Sequence, residues 1–283
     1  MAVEWSLLIY SVLVGISVGP FAVMALTGCL DGHRKLCKWG SLVGLASLVL
    51  GGIAAFTHLK APQYVTYIFT NLGSPMGLEM LVTVFTGLVA VLFAAQMWFD
   101  FWPQGRRIVA WVGLIGALAS VLLIGKMYML PARPMWNTWL LPLTFLTTSV
   151  VSGLLAMLVL VGFAPLEEGE DRSALAARLG TWTLGALVVN AIVAVLYFVT
   201  ATAQGGATAR LFTGDLAFSF WLGLVVLGVV VPLVLTWLGS RPTTQFATAR
   251  SLAALSFIAV LASGIAVRAM IFGLGTVVHI LAG

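Results

Sequence analysis

Charged side chains are scarce in this sequence, and their scarcity excludes whole classes of protein. Only 8% of the 283 residues are Asp, Glu, Lys or Arg, whereas 61% are hydrophobic and the mean hydropathy is +1.11. A water-soluble domain carries about 25% charged residues, so this sequence could not cover itself with a charged surface. The long, continuous apolar runs favour helices over the short alternating segments of a transmembrane barrel. The composition therefore predicts an all-α integral membrane protein.

Cysteine is also rare, with only Cys29 and Cys37 in the sequence. An iron–sulfur cluster is normally held by four cysteines, so we expect none here. Cys29, His33 and Cys37 fall at steps of four and could align on a helix, but zinc takes four ligands and Asp31 would have to be the fourth. Two reduced thiols near the inner surface are the simpler interpretation.

The positive charge of the protein does not predict a nucleic-acid surface. The net charge is +5 and the pI is about 9.6, yet the basic residues lie in short connecting segments rather than along one stripe. Such placement is how helical membrane proteins set their orientation. We therefore expect membrane lipid, and no nucleic acid, among the partners.

Eight stretches are each long and apolar enough for a helix to cross a hydrocarbon core about 30 Å thick. Lipid offers no hydrogen-bond partner to backbone groups, so each of these stretches must be helical. The sequence predicts a bundle of eight transmembrane helices at residues 5–29, 38–57, 76–98, 108–127, 138–164, 179–200, 215–237 and 251–272.

The distribution of Lys and Arg between alternate loops predicts the orientation of the bundle. The odd-numbered loops hold nine of them, namely Arg34, Lys35, Lys38, Arg106, Arg107, Arg172, Arg178, Arg241 and Arg250. The opposite side holds five, namely Lys60, Lys126, Arg133, Arg210 and Arg268. The positive-inside rule then places the odd loops in the cytoplasm, with both termini on the outer side of a prokaryotic inner (cytoplasmic) membrane.

The whole protein, residues 1–283, is expected to form a single membrane domain made of two four-helix halves, about 1–165 and 179–283. An acidic loop, 166–178, would join the halves on the cytoplasmic side, because its carboxylates are concentrated at residues 167–171. Such a segment is typical of a solvated hinge.

Proline and glycine inside the spans predict local geometry. Pro20, Pro142 and Pro232 are expected to kink their helices, with neighbouring groups satisfying the freed carbonyls. Gly15 and Gly19 are four residues apart on the first span and predict a close contact with a neighbouring helix.

Titratable residues are concentrated in the segment FTHLKAPQYVTYIFTNLGSPMGLEM, residues 56–80, which holds His58 and Glu79. An ionisable group at membrane depth is costly and needs a partner or a purpose. Glu79 can accept and release protons, and His58, with an ordinary pKa of about 6.5, is a second proton carrier. Arg268 is predicted near the same outer end and could pair with Glu79 or bind a carbonyl-like oxygen.

Other polar and aromatic residues are predicted on this outer side. Tyr128, Arg133 and Trp136 fall in the outer loop before the fifth span, and Ser74 lies in the turn before the third. They could line a ligand pocket or contact a partner. Each residue alone also fits a simpler role, as an interfacial anchor, a snorkelling side chain or a member of the aromatic belt.

A quinol suits an apolar mouth that is open to lipid and lined by proton-handling groups. Its tail is lipid-soluble, its ring carries two hydroxyl groups, and its oxidation releases two electrons and two protons. No redox centre is evident in the sequence, although a haem b held by His58 and His279 stays an open alternative because both are predicted on the outer side. The electrons would then leave to a partner subunit.

Three local motifs resemble the membrane-anchor subunit of the dimethyl sulfoxide reductase (molybdopterin oxidoreductase) family. They are THL at the outer end of helix two together with Glu79, YMLPARPMWNTWLLPLTFLTTSVVSG across loop four and helix five, and SGIAVRAMIFGL in helix eight. In the family LGSP follows the His almost directly, whereas here LGSPM lies at residues 72–76. The registration of loop 58–76 with the family pattern therefore stays open.

This resemblance implies a role in anaerobic respiration. Anchors of this family carry no haem, iron–sulfur cluster or molybdenum, bind menaquinol, and fix a four-cluster iron–sulfur subunit and a molybdopterin catalytic subunit to the outer face. The quinol-site His of the family matches His58, its acidic residue matches Glu79, and an Arg of its last helix matches Arg268.

Three other functions are open from the sequence. A small-solute transporter would place polar groups at the midplane, where Asn190 is the clear candidate and more often bonds a neighbouring helix. A polysulfide-reductase-type anchor would also bind quinol, and some of these anchors are built to conduct protons through a file of charges that this sequence lacks. A purely structural scaffold would use the outer polar cluster only to dock partners.

Overall fold

The computed structural model describes residues 4–26, 34–57, 59, 62–164, 172–203, 207–241 and 243–274. Within these segments the secondary structure is entirely helical, without strands. Eight helices of the described segments are long and apolar enough to cross a membrane, so the protein is a multi-pass membrane protein. They are α1 (Trp5–Leu26), α2 (Arg34–Thr57), α3 (Pro75–Phe99), α4 (Arg106–Met127), α5 (Leu140–Phe163), α6 (Arg172–Ala203), α7 (Ser219–Gly239) and α8 (Phe246–Leu274).

These helices confirm the eight predicted spans, with shifted boundaries. The largest shift is at α6, which begins at Arg172 rather than at residue 179. The reason is that Ser173–Arg178, SALAAR, is rich in strong helix formers and continues the helix beyond the apolar core. The preceding acidic residues, 165–171, lie outside the described residues, so the division into two halves stays a prediction.

The three prolines have different consequences. In α1 the regular helix is interrupted at Ser17, three residues before Pro20. This is expected because proline has no backbone N–H to donate to the preceding turn. Pro142 does not interrupt α5, because it falls in the first turn, where its missing N–H has no intrahelical partner to lose. In α7 a π-helical stretch, Ser219–Val230, precedes the α-helical turns that contain Pro232.

Helix α1 lies at the centre of the bundle. In its apolar 18-residue stretch 83% of the residues are buried, compared with 28% in that of α7. Gly19 of α1 meets Gly153 of α5 backbone to backbone, and a Cβ on either residue would overlap the facing helix. Gly15 meets Ser149 on the same helix pair. The predicted small-residue contact is therefore confirmed, and it holds α1 close against α5.

Contacts between helices define two ends of the bundle. At the first, which we name the Glu79 end, the beginnings of α1, α3 and α5 meet the ends of α4 and α8. At the second, the Asp100 end, the end of α3 meets the beginnings of α2 and α4. Which end faces the cytoplasm stays a prediction.

Candidate functional site

Glu79 is placed by the way α3 begins. Ser74 is the N-cap residue, and its hydroxyl accepts a hydrogen bond from the Gly77 N–H at 2.9 Å and donates to the Asn71 carbonyl at 2.9 Å. Pro75 occupies the first turn, where proline favours helix initiation. This start puts Glu79 on the inward face of the second turn, where only 5% of the residue is exposed.

The Glu79 carboxylate is held by hydroxyl groups. Both Tyr10 of α1 and Thr83, one turn further along α3, donate to its Oε1, the latter at 3.1 Å. The Tyr10 hydroxyl also lies 3.4 Å from the Thr83 hydroxyl. Within the described parts of the protein no Lys or Arg forms an ion pair with Glu79, so the carboxylate is solvated by neutral donors.

Arg268 lies in α8 with 3% of the residue exposed. Its guanidinium group donates to the carbonyl oxygens of Gly264 at 3.2 Å and Ser11 at 3.4 Å, and its centre lies 4.7 Å from the centroid of the Phe145 ring. Its Nε has no hydrogen-bond partner in the described structure. Of the two roles that the sequence left open for Arg268, an ion pair with Glu79 is absent from the described contacts, so the two ionisable side chains are buried separately.

Tyr128 connects these two charged groups electrostatically. It follows the last residue of α4 and packs edge-on against Trp136 and Phe272, with ring centroids 5.7 and 5.5 Å apart. Burial raises the pKa of Tyr128 to about 12, while the charge of Arg268 acts to lower it and that of Glu79 acts to raise it. The phenol therefore keeps its proton at neutral pH and can donate a hydrogen bond.

Trp136 and Arg133 form one side of the cluster. The Trp136 indole N–H donates to the carbonyl of Ile271 at 2.8 Å, and 3% of the residue is exposed. The Arg133 guanidinium group lies 4.3 Å from the centroid of the Trp136 ring. Trp136 is thus buried rather than part of an exposed aromatic belt, whereas Trp139, which is 62% exposed, fits that belt.

The structure brings most of the predicted site residues to one end. Arg268 and Glu79 both act on Tyr128, while Trp136 packs against it and Arg133 covers Trp136. Ser74 lies at the same end, where its hydroxyl is engaged in capping. His58 lies outside the described residues, and its role stays a prediction.

Sequence reasoning missed Tyr10 and Thr83. Thr83 lies four residues after Glu79, so helical spacing could have indicated it. Tyr10 lies 69 residues from Glu79 in the sequence, and nothing in its surrounding apolar residues distinguishes it from an interfacial tyrosine. Only the tertiary structure, in which the Tyr10 hydroxyl reaches the Glu79 carboxylate, identifies it.

The other candidate sites receive little support. Cys37 is buried and disulfide-bonded, which corrects the expectation of a reduced thiol at this position. Cys29, His33 and Asp31 lie outside the described residues, as does His279, and the residues that are described hold no group of three or more potential metal ligands. Asn190 accepts hydrogen bonds from Thr147 at 2.9 Å and Thr148 at 3.1 Å. These bonds join α6 to α5, as expected of an asparagine that bonds a neighbouring helix.

Comparisons with known proteins address the resemblance as a whole. The family model described as "Polysulphide reductase, NrfD" matches residues 1–280. The sequence is also similar to a subunit of the polysulfide reductase of Wolinella succinogenes, with 26% identity over 266 residues that cover 82% of each protein. The predicted resemblance to a membrane-anchor subunit is confirmed by these matches. Because the family model spans nearly the whole sequence, this protein belongs to the polysulphide reductase NrfD family.

Proposed function

We propose that this protein is the membrane-anchor subunit of a respiratory molybdopterin oxidoreductase complex, and that it binds and oxidises menaquinol at the Glu79 end. The observation that carries the proposal is Glu79 itself, a carboxylate buried at membrane depth that accepts from Tyr10 and Thr83 without an ion pair in the described structure. An intramembrane carboxylate of this kind is costly to keep unless it has a function.

The carboxylate suits a proton acceptor. Oxidation of a quinol to a quinone breaks two O–H bonds and releases two protons and two electrons. One ring hydroxyl would lose its proton to Glu79, while Tyr10 and Thr83 hold the carboxylate in position. His58 is proposed as acceptor of the second proton. The two electrons would pass to an iron–sulfur cluster in a partner subunit.

Arg268 and Tyr128 suit the oxygen at the other side of the ring. The Arg268 Nε is buried and lacks a partner in the described structure, so it can donate to a ligand oxygen without breaking an existing bond. Tyr128 retains its proton and can donate as well. A quinone carbonyl accepts from both donors, which would stabilise the oxidised ring. Trp136 and Arg133 would form the wall of this pocket or contact a partner.

The partners proposed for this end are a four-cluster iron–sulfur subunit and a molybdopterin catalytic subunit. Electrons tunnel over short distances, so the cluster must dock close to the quinol. Family membership supports such an assembly, and it favours the polysulfide-reductase type among the anchors that the sequence left open. The proposed location is a prokaryotic inner membrane, with this end and both termini on the outer side.

A titration of the assembled complex with a quinol analogue tests the proposal, with turnover measured in parallel. Glu79→Gln keeps the size of the side chain and removes the proton acceptor, so turnover is expected to fall by about a hundredfold. His58→Ala is expected to weaken both binding and turnover. Asp215→Asn, which changes an exposed carboxylate that pairs with Arg210, is the matched control. Unchanged binding and turnover in both site variants would refute the proposed site.

A further inference from the structure

The Asp100 end holds a polar cluster that the proposed function does not use. Asp100 follows the last residue of α3 with a φ of 57°, and its carboxylate accepts from Arg34 at 2.6 Å and from Arg106. Arg106 also donates to the backbone carbonyl of Gln96 at 3.1 Å. The cluster therefore joins the end of α3 to the beginnings of α2 and α4.

Several polar atoms of this cluster have no hydrogen-bond partner in the described structure. They are the Nε of Arg34, the Nε of Arg106 and both amide atoms of Gln96. Gln96 is 0% exposed and Arg106 is 7% exposed. Buried polar groups are normally satisfied, and an exception calls for a water or a ligand. The unused donors predominate, so a ligand here must offer acceptor oxygens.

The charge around the cluster is positive. In the described segments 34–57 and 96–111, Asp100 is the only carboxylate and pairs with Arg34 and Arg106, while Lys38 and Arg107 lie on the same helix ends. Hydrogen bonds from Arg34 and then Arg106 lower the pKa of Asp100, so it is ionised at neutral pH and neutralises one of these charges. The positive charge that Asp100 does not neutralise favours an anionic ligand.

The surroundings of the cluster are those of a membrane–water interface. Lys38 lies 5.8 Å from the centroid of the Trp98 ring, and Trp98 in turn packs edge-on against Trp39. Large apolar side chains are exposed on the same helix ends, namely Trp39, Trp98, Phe99, Trp102, Ile108 and Trp111. Tryptophan is enriched at the level of lipid headgroups. The anion that fits both the donors and these apolar neighbours carries its own acyl chains.

We propose that the Asp100 end binds the phosphate group of an anionic phospholipid. Arg34 and Arg106 donate to the phosphate oxygens from Nε, and Lys38 and Arg107 add charge at the rim. The acyl chains lie against the exposed aromatic side chains at the ends of α2, α3 and α4. Basic pockets between transmembrane helices bind acidic headgroups in this way. The site is independent of quinol chemistry at the other end.

The test uses the purified full-length protein in detergent, titrated with phosphatidylglycerol or with phosphatidylcholine of the same acyl chains. A ligand that binds only the folded protein raises its unfolding temperature in proportion to occupancy. Phosphatidylglycerol is expected to raise the unfolding temperature more than phosphatidylcholine does. Arg34→Gln is expected to weaken phosphatidylglycerol binding about tenfold, and Arg34→Lys is expected to recover part of that loss.

Controls separate this site from general attraction between charges. Arg210→Gln removes a similar guanidinium group, paired with Asp215, and should leave phosphatidylglycerol binding unchanged. Asp100→Asn removes the competing negative charge beside Arg34 and Arg106 and should tighten binding, so a variant that merely fails to fold is distinguishable. Equal effects of the two lipids, an equal loss in Arg210→Gln, or the same stabilisation by inorganic phosphate at equal concentration would each overturn the proposal.

Discussion

At the Asp100 end one carboxylate accepts from two guanidinium groups, whereas at the Glu79 end the carboxylate accepts from two hydroxyl groups and the nearby guanidinium donates to backbone carbonyls. Asp100 is exposed, with 52% of its side chain accessible, and Glu79 is buried. Opposite charges at an exposed site contribute modestly to stability. Buried charges kept apart cost free energy and therefore point to function.

This difference predicts that equivalent arginine substitutions will have opposite consequences at the two ends. Arg268→Met removes a buried cation without a carboxylate partner, so quinol turnover should fall at least about tenfold while stability holds or rises. Arg106→Met leaves the Gln96 carbonyl and Asp100 with fewer donors, so stability should fall by about 1–3 kcal/mol while turnover persists. Unfolding temperature and turnover of the assembled complex, measured for both variants, check the prediction. Parallel losses of both quantities at both ends would contradict it.

Two separate tyrosine substitutions test whether the hydroxyl group at Glu79 has a functional role. Tyr10→Phe removes the hydroxyl that donates to Glu79, so turnover is expected to fall about tenfold with little change in unfolding temperature. Tyr197→Phe is the matched control, because within the described residues that buried hydroxyl donates only to the backbone carbonyl of Met135 at 3.2 Å. It should cost about 1 kcal/mol of stability and leave turnover unchanged. Equal turnover in the two variants would remove Tyr10 from the site.

The smallest expected effect is the pH dependence of stability at the Asp100 end. Hydrogen bonds from Arg34 and Arg106 lower the pKa of Asp100 below its ordinary value of about 3.9. Its contribution is therefore present above about pH 4 and is lost as the pH falls through the lowered pKa. Thermal unfolding between about pH 7 and pH 3 should show a steeper acid loss in the wild type than in Asp100→Asn. Superimposable profiles would show that the ion pairs contribute nothing measurable.

Much of the fold was predictable from the sequence, because the hydropathy of a segment does not depend on its neighbours. The positions of α2, α3 and α4 were predicted to within a few residues, whereas the beginning of α6 was missed because helix-forming residues extend it beyond the apolar core. Pro142 shows the same limit, since its effect depends on where α5 begins.

The candidate site was predictable only in part. Glu79 and Arg268 were indicated because a charge inside an apolar span is conspicuous in any sequence. Their separation was not predictable, because an ion pair and two independently hydrogen-bonded groups have the same sequence signature. Trp136 was interpreted as either a pocket residue or an interfacial one, and its burial against Ile271 depends on how the loop folds over α8.

Sequence alone was enough to predict the eight membrane-crossing helices that the described segments contain. It also placed most of the few charges near the helix ends. Both follow from the transfer free energies of individual segments, which are local quantities. Helix packing, by contrast, determines that Tyr10 meets Glu79, that Arg268 reaches the Ser11 carbonyl, and that Asp100 joins two arginines. These contacts depend on the rotation and depth of each helix, which are set by interactions between residues far apart in the sequence.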